Sequence, residues 1–260
     1  MKTSHRWLLA ASCAFAMLVA ACQTVPLTGR QQLILITSEE ELSLGEAAYK
    51  KTLKESKLSQ DQATTAMVRR VGERIAKAAN RPDFQWEFNL VEDKTPNAFC
   101  LPGGKVVVYT GILPFTKDET GLAVVVGHEV AHALARHGAE RMSTSLLTEV
   151  AGQTAGSIFG GGNPETARAV EQAFGIGSGV GIILPFSRHQ ESEADKIGLL
   201  LMAQSGYDPR QATEFWTRMG QGQDGAPPEF LCTHPSDETR IKQIEAWLPE
   251  ALKIYQAGAA

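Results

Sequence analysis

The sequence H-E-V-A-H at residues 128–132 constrains this chain more than any other segment. Histidines at i and i+4 lie one helical turn apart on one face, where both imidazoles can bind one metal ion. Glu129 is the next residue along the helix after His128. Its carboxylate can therefore lie close enough to a water molecule at that metal to take its proton. Apolar residues 124–126 before the histidines, and Ala131, Ala133 and Leu134 after, predict a buried helix. The pattern predicts one catalytic Zn²⁺ per chain, bound by His128 and His132.

This helix does not itself supply a third ligand. A metzincin would have glycine at position 135 and histidine at position 138, where this chain has Ala135 and Gly138, so that class is excluded. His137 lies five residues beyond His132 and points to another face. We interpret it as structural or solvent-facing.

The acidic sequence E-S-E-A-D at residues 191–195 supplies candidates for the third ligand. Glu191 and Asp195 stand at i and i+4 and share one helix face. Glu191 can bind zinc there while Asp195 orients a ligand histidine. Glu193 is a rival ligand on chemistry alone, and the whole stretch can also be read as a solvated acidic face.

Residues 1–21 predict an export signal, because a short basic head precedes an apolar run too short for a confident membrane span. The run ends in V-A-A-C, which resembles a bacterial lipobox with Cys22 as the lipidated residue. The alternative is an ordinary signal peptide with an incidental cysteine. Residues 22–38 are then predicted as a lipidated tether and residues 39–260 as the folded domain. Gln23 after the cysteine favours the outer membrane.

Charge excludes one class of partner and indicates how the chain is held at a membrane. The formal net charge of the 260 residues is -4, so a basic surface for nucleic acid is not expected. Loss of Lys2 and Arg6 with the signal makes the remainder more acidic. Acyl chains, and not basic residues, are therefore expected to hold it at the membrane.

Cys100 and Cys232 are the cysteines that follow Cys22. Export places them in an oxidising compartment, where a disulfide is permitted. Both flank sequences assigned to the active-site cleft. A Cys100–Cys232 bridge and two buried free thiols are both compatible with this placement.

Periodicity predicts a mostly helical α+β chain. Phe84, Trp86 and Phe88 alternate with polar residues and predict a strand, and a turn at 102–104 before the strand 105–109 predicts a hairpin. Thr116 and Glu119 have the spacing of a capping box that starts the H-E-x-x-H helix. The glycine-rich segment 152–188 predicts a mobile lid or a loosely packed helical pair. Further helices are predicted at residues 39–57, 60–80, 209–219 and 238–257.

The H-E-x-x-H and E-x-x-x-D motifs together resemble the zinc metallopeptidase family that includes the CAAX prenyl protease, HtpX and the mitochondrial OMA proteases. Residues 28–30, 97–99 with 102–104, and 233–236 resemble stretches of its soluble, periplasmic lipoprotein branch, which contains LoiP and BepA. The resemblance covers residues 26–248. It implies a gluzincin-type α+β domain, mostly helical, with a small sheet beside the active-site helix.

The resemblance also implies roles for individual residues. It selects Glu191 as the third zinc ligand, and it makes Asn97, Ala98 and Phe99 part of an edge strand along which an extended substrate pairs. His234 is expected near the zinc, where it stabilises the oxyanion or closes the site as a fourth ligand; the alternative is a helix-capping turn residue. Arg240 shares the oxyanion role or pairs with an acidic neighbour.

These expectations describe a lipid-anchored zinc endopeptidase at the outer membrane, facing the periplasm, with Glu129 as general base. The resemblance implies unfolded or misfolded envelope proteins as substrates and a role in quality control. An alternative is a chaperone or assembly factor for outer-membrane proteins with a closed, latent zinc site. A purely structural site is disfavoured, because such sites prefer cysteine and have no need of Glu129. The sequence predicts no oligomeric state.

Overall fold

A computed structural model describes residues 22–147, 186–221, 230–234 and 238–258. The predicted signal, residues 1–21, lies outside the described residues. The same holds for residues 152–185 of the glycine-rich segment, so neither the lid nor the helical pair is described.

The described residues form the predicted α+β, mostly helical arrangement. The strands are β1 (Cys22–Thr24), β2 (Gln31–Leu33), β3 (Glu87–Val91), β4 (Ala98–Leu101) and β5 (Lys105–Tyr109). The helices are α1 (Ser38–Glu55), α2 (Gln62–Ala79), α3 (Leu113–Thr116), α4 (Glu119–Leu134), α5 (residues 137–147), α6 (Arg188–Gln204), α7 (Gln211–Gln221), α8 (Phe230–Thr233) and α9 (Glu238–Gly258). No helix within these ranges combines the length and apolarity needed to cross a bilayer.

A three-stranded sheet of order β3-β5-β4 lies beside α4. Strand β5 pairs parallel with β3 and antiparallel with β4, so the predicted hairpin is confirmed. Gly103 and Gly104 make its turn at φ 83° and 84°, which glycine adopts without steric cost. The predicted strand start at Phe84 is wrong. Phe84 donates its N–H to Arg81 in a turn, and β3 begins at Glu87.

Helix α4 carries the H-E-x-x-H motif and is buried along its length from Gly121 to Leu134. The predicted capping box is wrong, because Asp118 caps the helix and accepts a hydrogen bond from the Gly121 N–H at 2.9 Å. Thr116 instead ends α3 and donates its hydroxyl to Leu113. Lys117, at φ 64°, separates the two helices.

Helices α4 and α6 cross where two glycines meet. A Cβ atom built on Gly198 would lie 2.8 Å from the N of His128 and 2.9 Å from the C of Gly127. Any side chain at Gly198 would therefore push the backbones apart. The crossing lies next to the first histidine of the motif, so it sets the distance between the two helices that carry the predicted zinc ligands.

Residues 22–36 do not form the predicted tether. Strands β1 and β2 pair antiparallel as an N-terminal hairpin, whose Val25 is buried, as is Ile34 just beyond it. The Gln32 side chain donates to the carbonyl oxygen of Ala135 at 2.8 Å, at the end of α4. The segment packs against the domain because it buries apolar side chains and its polar groups find partners there.

We predict that Gly198→Ala lowers the free energy of unfolding by about 1–3 kcal/mol, the usual cost of inserting an atom into a packed contact. The added methyl group meets backbone, which cannot move aside as a flexible side chain can. Chemical denaturation of the purified protein measures the change.

Gly220→Ala is the matched control. Gly220 also lies in a helix, α7, but a Cβ atom there meets nothing within 4 Å. Helix propensity alone then favours alanine by up to about 1 kcal/mol. Equal destabilisation by the two substitutions would contradict the importance of the α4–α6 contact.

Candidate metal centre

Four buried side chains from α4, α6 and the end of α8 converge on one point: His128, His132, Glu191 and His234. One ligand atom of each lies within 4.8 Å of the others. Nε2 of His132 lies 3.0 Å from Nε2 of His128 and 3.3 Å from Oε1 of Glu191. Oε2 of Glu191 is buried and accepts no hydrogen bond from the described residues. This donor set of imidazole nitrogens and a carboxylate fits Zn²⁺.

The structure places Glu191, and not Glu193, in this group. The Glu193 carboxylate points elsewhere, with Oε2 3.0 Å from Nε2 of His137 and 2.7 Å from Nε of Arg30. The reading of residues 191–195 as a solvated acidic face is wrong, because Glu191, Glu193 and Asp195 are all buried.

Asp195 orients the first histidine of the motif. Its Oδ1 lies 2.9 Å from Nδ1 of His128, which leaves Nε2 of that ring facing the ligand group. Arg240 bonds the same Asp195 oxygen at 2.7 Å and lies 3.3 Å over the ring of Trp216. The structure therefore favours the pairing of Arg240 with acidic neighbours over an oxyanion role.

His234 lies in the ligand group directly after α8, where its N–H donates to the carbonyl oxygen of Phe230 at 2.9 Å. Its Nδ1 is 3.0 Å from Oε1 of Glu191 and 3.2 Å from Nε2 of His128. The ring stacks between Phe230 and Phe186. This position is compatible with both expected roles, the oxyanion donor and the fourth ligand.

Glu129 lies beside the ligand group without belonging to it. Its Oε1 is buried, accepts no hydrogen bond from the described residues and lies 3.5 Å from Nε2 of His234. Burial raises the pKa of Glu129 above its usual value, against the pull of the neighbouring His234. A carboxylate with a raised pKa is a stronger base, as proton abstraction from water requires.

The charges of the site are arranged for a cation. Burial opposes ionisation of Glu191, yet His234 and His128 hold the pKa of Glu191 well below its usual value. Burial lowers the pKa of His132 and keeps that imidazole neutral, the form that binds metals. Burial also opposes charge on His128, but hydrogen bonds to Asp195 and Glu191 raise the pKa of His128 to about 9. Without metal, His128 therefore carries a proton at neutral pH.

Two parts of the site were missed from the sequence. His137 is fully buried, so the solvent-facing alternative is wrong and the structural one remains; its Nδ1 lies 2.8 Å from Nδ1 of His132. Phe186 covers the ligand group, with its ring 4.1 Å from that of His132. No motif spacing points to Phe186. The position of His137 depends on a turn at Arg136, whose φ is 57°.

The predicted substrate strand lies at the edge of the sheet, as expected, but it is not open. Asn97, Ala98 and Phe99 are each no more than 2% exposed. The side-chain oxygen of Asn97 accepts the Ala98 N–H at 2.9 Å. Pairing of a substrate along β4 therefore requires displacement of the groups that cover it.

Neither alternative for Cys100 and Cys232 matches the structure, which has no bridge between them and only one of the two buried. Cys100 is a free thiol packed in the core, whereas Cys232 is exposed on α8. Burial raises the pKa of the Cys100 thiol well above its usual value, which makes it unreactive. Cys22 is exposed at the start of β1.

A small sheet beside a buried H-E-x-x-H helix, with a glutamate from a second helix completing the ligands, defines a gluzincin-type zinc metallopeptidase. Residues 62–248 match Peptidase family M48. The chain belongs to this family and carries the site of a zinc metalloendopeptidase.

Individual relatives agree with this assignment. The chain is 41% identical over 233 residues to the mitochondrial metalloendopeptidase OMA1 of Schizosaccharomyces pombe, covering 87% of this chain and 66% of that protein. It is 32% identical over 245 residues to OMA1 of Homo sapiens, covering 89% and 47%. It is 30% identical over 214 residues to the putative beta-barrel assembly-enhancing protease of Vibrio cholerae, covering 79% and 43%. This chain thus spans less than half the length of the last two proteins.

We predict that zinc binding displaces one proton from His128. Because the pKa of His128 is about 9 without metal, the apparent affinity for zinc should rise about tenfold per pH unit below that value. Above that pKa, the apparent affinity for zinc should no longer change with pH. Competition with a chelator of known affinity, between about pH 6.5 and 8.5, measures the slope.

Asp195→Asn provides the comparison. Loss of this carboxylate lowers the pKa of His128, so the affinity should become less dependent on pH even as it falls. An affinity for zinc that does not change over this range in the unaltered protein would contradict the prediction.

Proposed function

We propose that this protein is a lipid-anchored endopeptidase, facing the periplasm from the outer membrane, that hydrolyses misfolded or unassembled envelope proteins. The observation that carries the proposal is Glu129, a buried carboxylate beside the His128, His132 and Glu191 ligand set. A buried acid without a hydrogen bond at Oε1 costs stability and is explained by a catalytic task.

Each side chain has a separate part in peptide hydrolysis. Zn²⁺ held by His128, His132 and Glu191 would supply a Lewis acid that polarises the scissile carbonyl and the attacking water. Glu129 takes the proton of that water and passes it to the leaving amine. His234, whose Nε2 lies 3.5 Å from Oε1 of Glu129, is placed to donate a hydrogen bond to the developing oxyanion.

The edge strand β4 would favour unfolded substrates once the groups that cover it are displaced. An extended chain can pair with the backbone of β4 without a specific side-chain sequence, as in other cases where a peptide adds a strand to a sheet. A folded protein presents no free strand for this purpose. The bacterial relatives named beta-barrel assembly-enhancing protease support outer-membrane proteins as the class of substrate.

Anchoring rests on Cys22. The residue is exposed, and it starts the first described strand directly after the predicted signal. Acylation there would hold the domain against the membrane surface, provided that more than one chain is attached. The N-terminal hairpin would then place the domain next to the membrane without a long flexible tether.

We predict that Glu129→Gln lowers kcat for hydrolysis of an unfolded model protein by about 100- to 10,000-fold, the usual contribution of a general base. The amide is nearly isosteric and cannot accept the proton. Zinc content should not change, since Glu129 is outside the ligand set. Assays with both proteins loaded with zinc measure the effect.

Glu119→Gln is the matched control on the same helix. Glu119 lies at the first position of α4 and pairs with Arg70, far from the ligand group. This variant should keep its peptidase activity. Full hydrolysis by Glu129→Gln would overturn the proposed mechanism.

A chaperone with a latent zinc site is the second candidate, and the position of His234 favours it. Four protein ligands around one metal are typical of a closed site, whereas a catalytic site keeps one position open. In this arrangement His234 blocks the position that water needs.

His234→Ala separates the two candidates. If His234 closes the site, we expect the variant to cleave an unfolded protein faster than the unaltered chain, because a coordination position opens. Peptidase rates with zinc-loaded proteins provide the measurement. A loss of rate instead indicates that His234 serves the oxyanion, and the latent-site candidate fails.

A further inference from the structure

We propose that the N-terminal hairpin positions a zinc ligand: Thr28 and Arg30, acting through Glu193 and His137, fix the orientation and the tautomer of His132. The inference rests on the zinc site described above and concerns residues outside the ligand set. It makes Glu193 and His137 positioning residues for metal binding.

The chain of contacts starts at His132. Its Nε2 faces the ligand group, 3.3 Å from Oε1 of Glu191, and its Nδ1 lies 2.8 Å from Nδ1 of His137. A neutral imidazole that binds metal through Nε2 carries its proton on Nδ1. His132 must therefore donate to His137, and Nδ1 of His137 must accept.

The acceptor role of His137 fixes its own proton. With Nδ1 accepting, the proton of a neutral His137 lies on Nε2. That nitrogen lies 3.0 Å from Oε2 of Glu193, a carboxylate that accepts it. One acid therefore determines the tautomers of both rings.

The N-terminal hairpin holds this acid in place. Arg30 donates from Nε to Oε2 of Glu193 at 2.7 Å, and the Thr28 hydroxyl donates to Oε1. Arg30 also donates to Oε1 of Glu140 at 2.6 Å. Each oxygen of Glu193 thus has a donor from the hairpin, and the carboxylate cannot rotate without breaking one of these bonds.

Backbone geometry brings His137 back onto His132. The turn between α4 and α5 has Arg136 in the left-handed region, at φ 57°. The Arg136 guanidinium is held by Glu41 at 2.7 Å and by the side chain of Gln23 in β1. The hairpin therefore supports both the acid and the turn.

The two histidines of the motif obtain the same kind of support by different routes. His128 bonds a carboxylate directly, because Asp195 lies 2.9 Å from its Nδ1. His132 reaches Glu193 through His137. A carboxylate behind each ligand histidine increases its basicity and fixes its ring, which is how outer contacts raise metal affinity.

Zinc affinity measured by competition with a chromophoric chelator tests the chain of contacts. We expect Glu193→Ala to weaken zinc binding about 10- to 100-fold, the usual effect of removing such a contact. Arg30→Ala should weaken it less, because Thr28 still bonds Glu193. Unchanged affinity in Glu193→Ala would overturn the proposal.

Glu140→Gln is the matched control. Glu140 pairs with the same arginine and bonds the side chain of Gln190, but it touches neither histidine. We expect its zinc affinity to stay close to that of the unaltered protein. An equal loss of affinity in Glu140→Gln and Glu193→Ala would mean that the cluster acts only through general stability, and the proposal would fail.

A spectroscopic measurement needs no variant that might misfold. Long-range ¹H–¹⁵N NMR of the zinc-loaded, histidine-labelled protein reports which ring nitrogen carries the proton. We expect a proton on Nε2 of His137 and on Nδ1 of His132. A proton on Nδ1 of His137 would overturn the proposed relay from Glu193 through His137 to His132, since His132 could not then donate to that nitrogen.

These outcomes separate the relay from the zinc site itself. A full-length protein that fails to bind zinc would overturn both. If the unaltered protein binds zinc and hydrolyses peptides, and Glu193→Ala binds zinc as tightly as the unaltered protein does, only the relay is overturned.

Discussion

The glycine contact between α4 and α6 is the constraint on which the site depends. One helix carries His128 and His132, and the other carries Glu191. Their ligand atoms meet only because Gly127 and Gly198 let the two backbones touch. With bulkier residues at these two positions, the chain would still contain the three ligands, but the two helices that carry them would lie farther apart. Packed interiors do not absorb an added methyl group without movement.

Burial of charged groups is a second constraint on the structure. The centre removes several acids and histidines from water, and such groups are stable only when each has a partner. Asp195 is balanced by Arg240 and His128, and Glu193 by Arg30 and His137. Oε2 of Glu191 and Oε1 of Glu129 are buried and accept no hydrogen bond from the described residues, although Arg240 lies 3.2 Å from the first and His234 lies 3.5 Å from the second. Metal binding and proton transfer account for them.

Local patterns predicted local structure well and failed where tertiary contacts compete. The helix predicted at residues 60–80 forms as α2, with Val68, Val71 and Ile75 on its buried face. The hairpin of β4 and β5 follows from its glycine turn. The capping box at Thr116 failed because two helices meet there, and Asp118 was the better placed acceptor. The tether failed because no local pattern shows that residues 22–36 have a surface to pack against.

The sequence by itself determined the class of chemistry. Spacing along a helix is a local property, so H-E-x-x-H placed His128 and His132 on one face and Glu129 beside them. Residue spacing left Glu191 and Glu193 as alternatives, which only the family resemblance separated. The tertiary structure places Glu191 and His234 in the ligand group and gives His137 its role. The reason is physical: each depends on where separate elements meet, through the α4–α6 contact, the turn at Arg136 and the N-terminal hairpin.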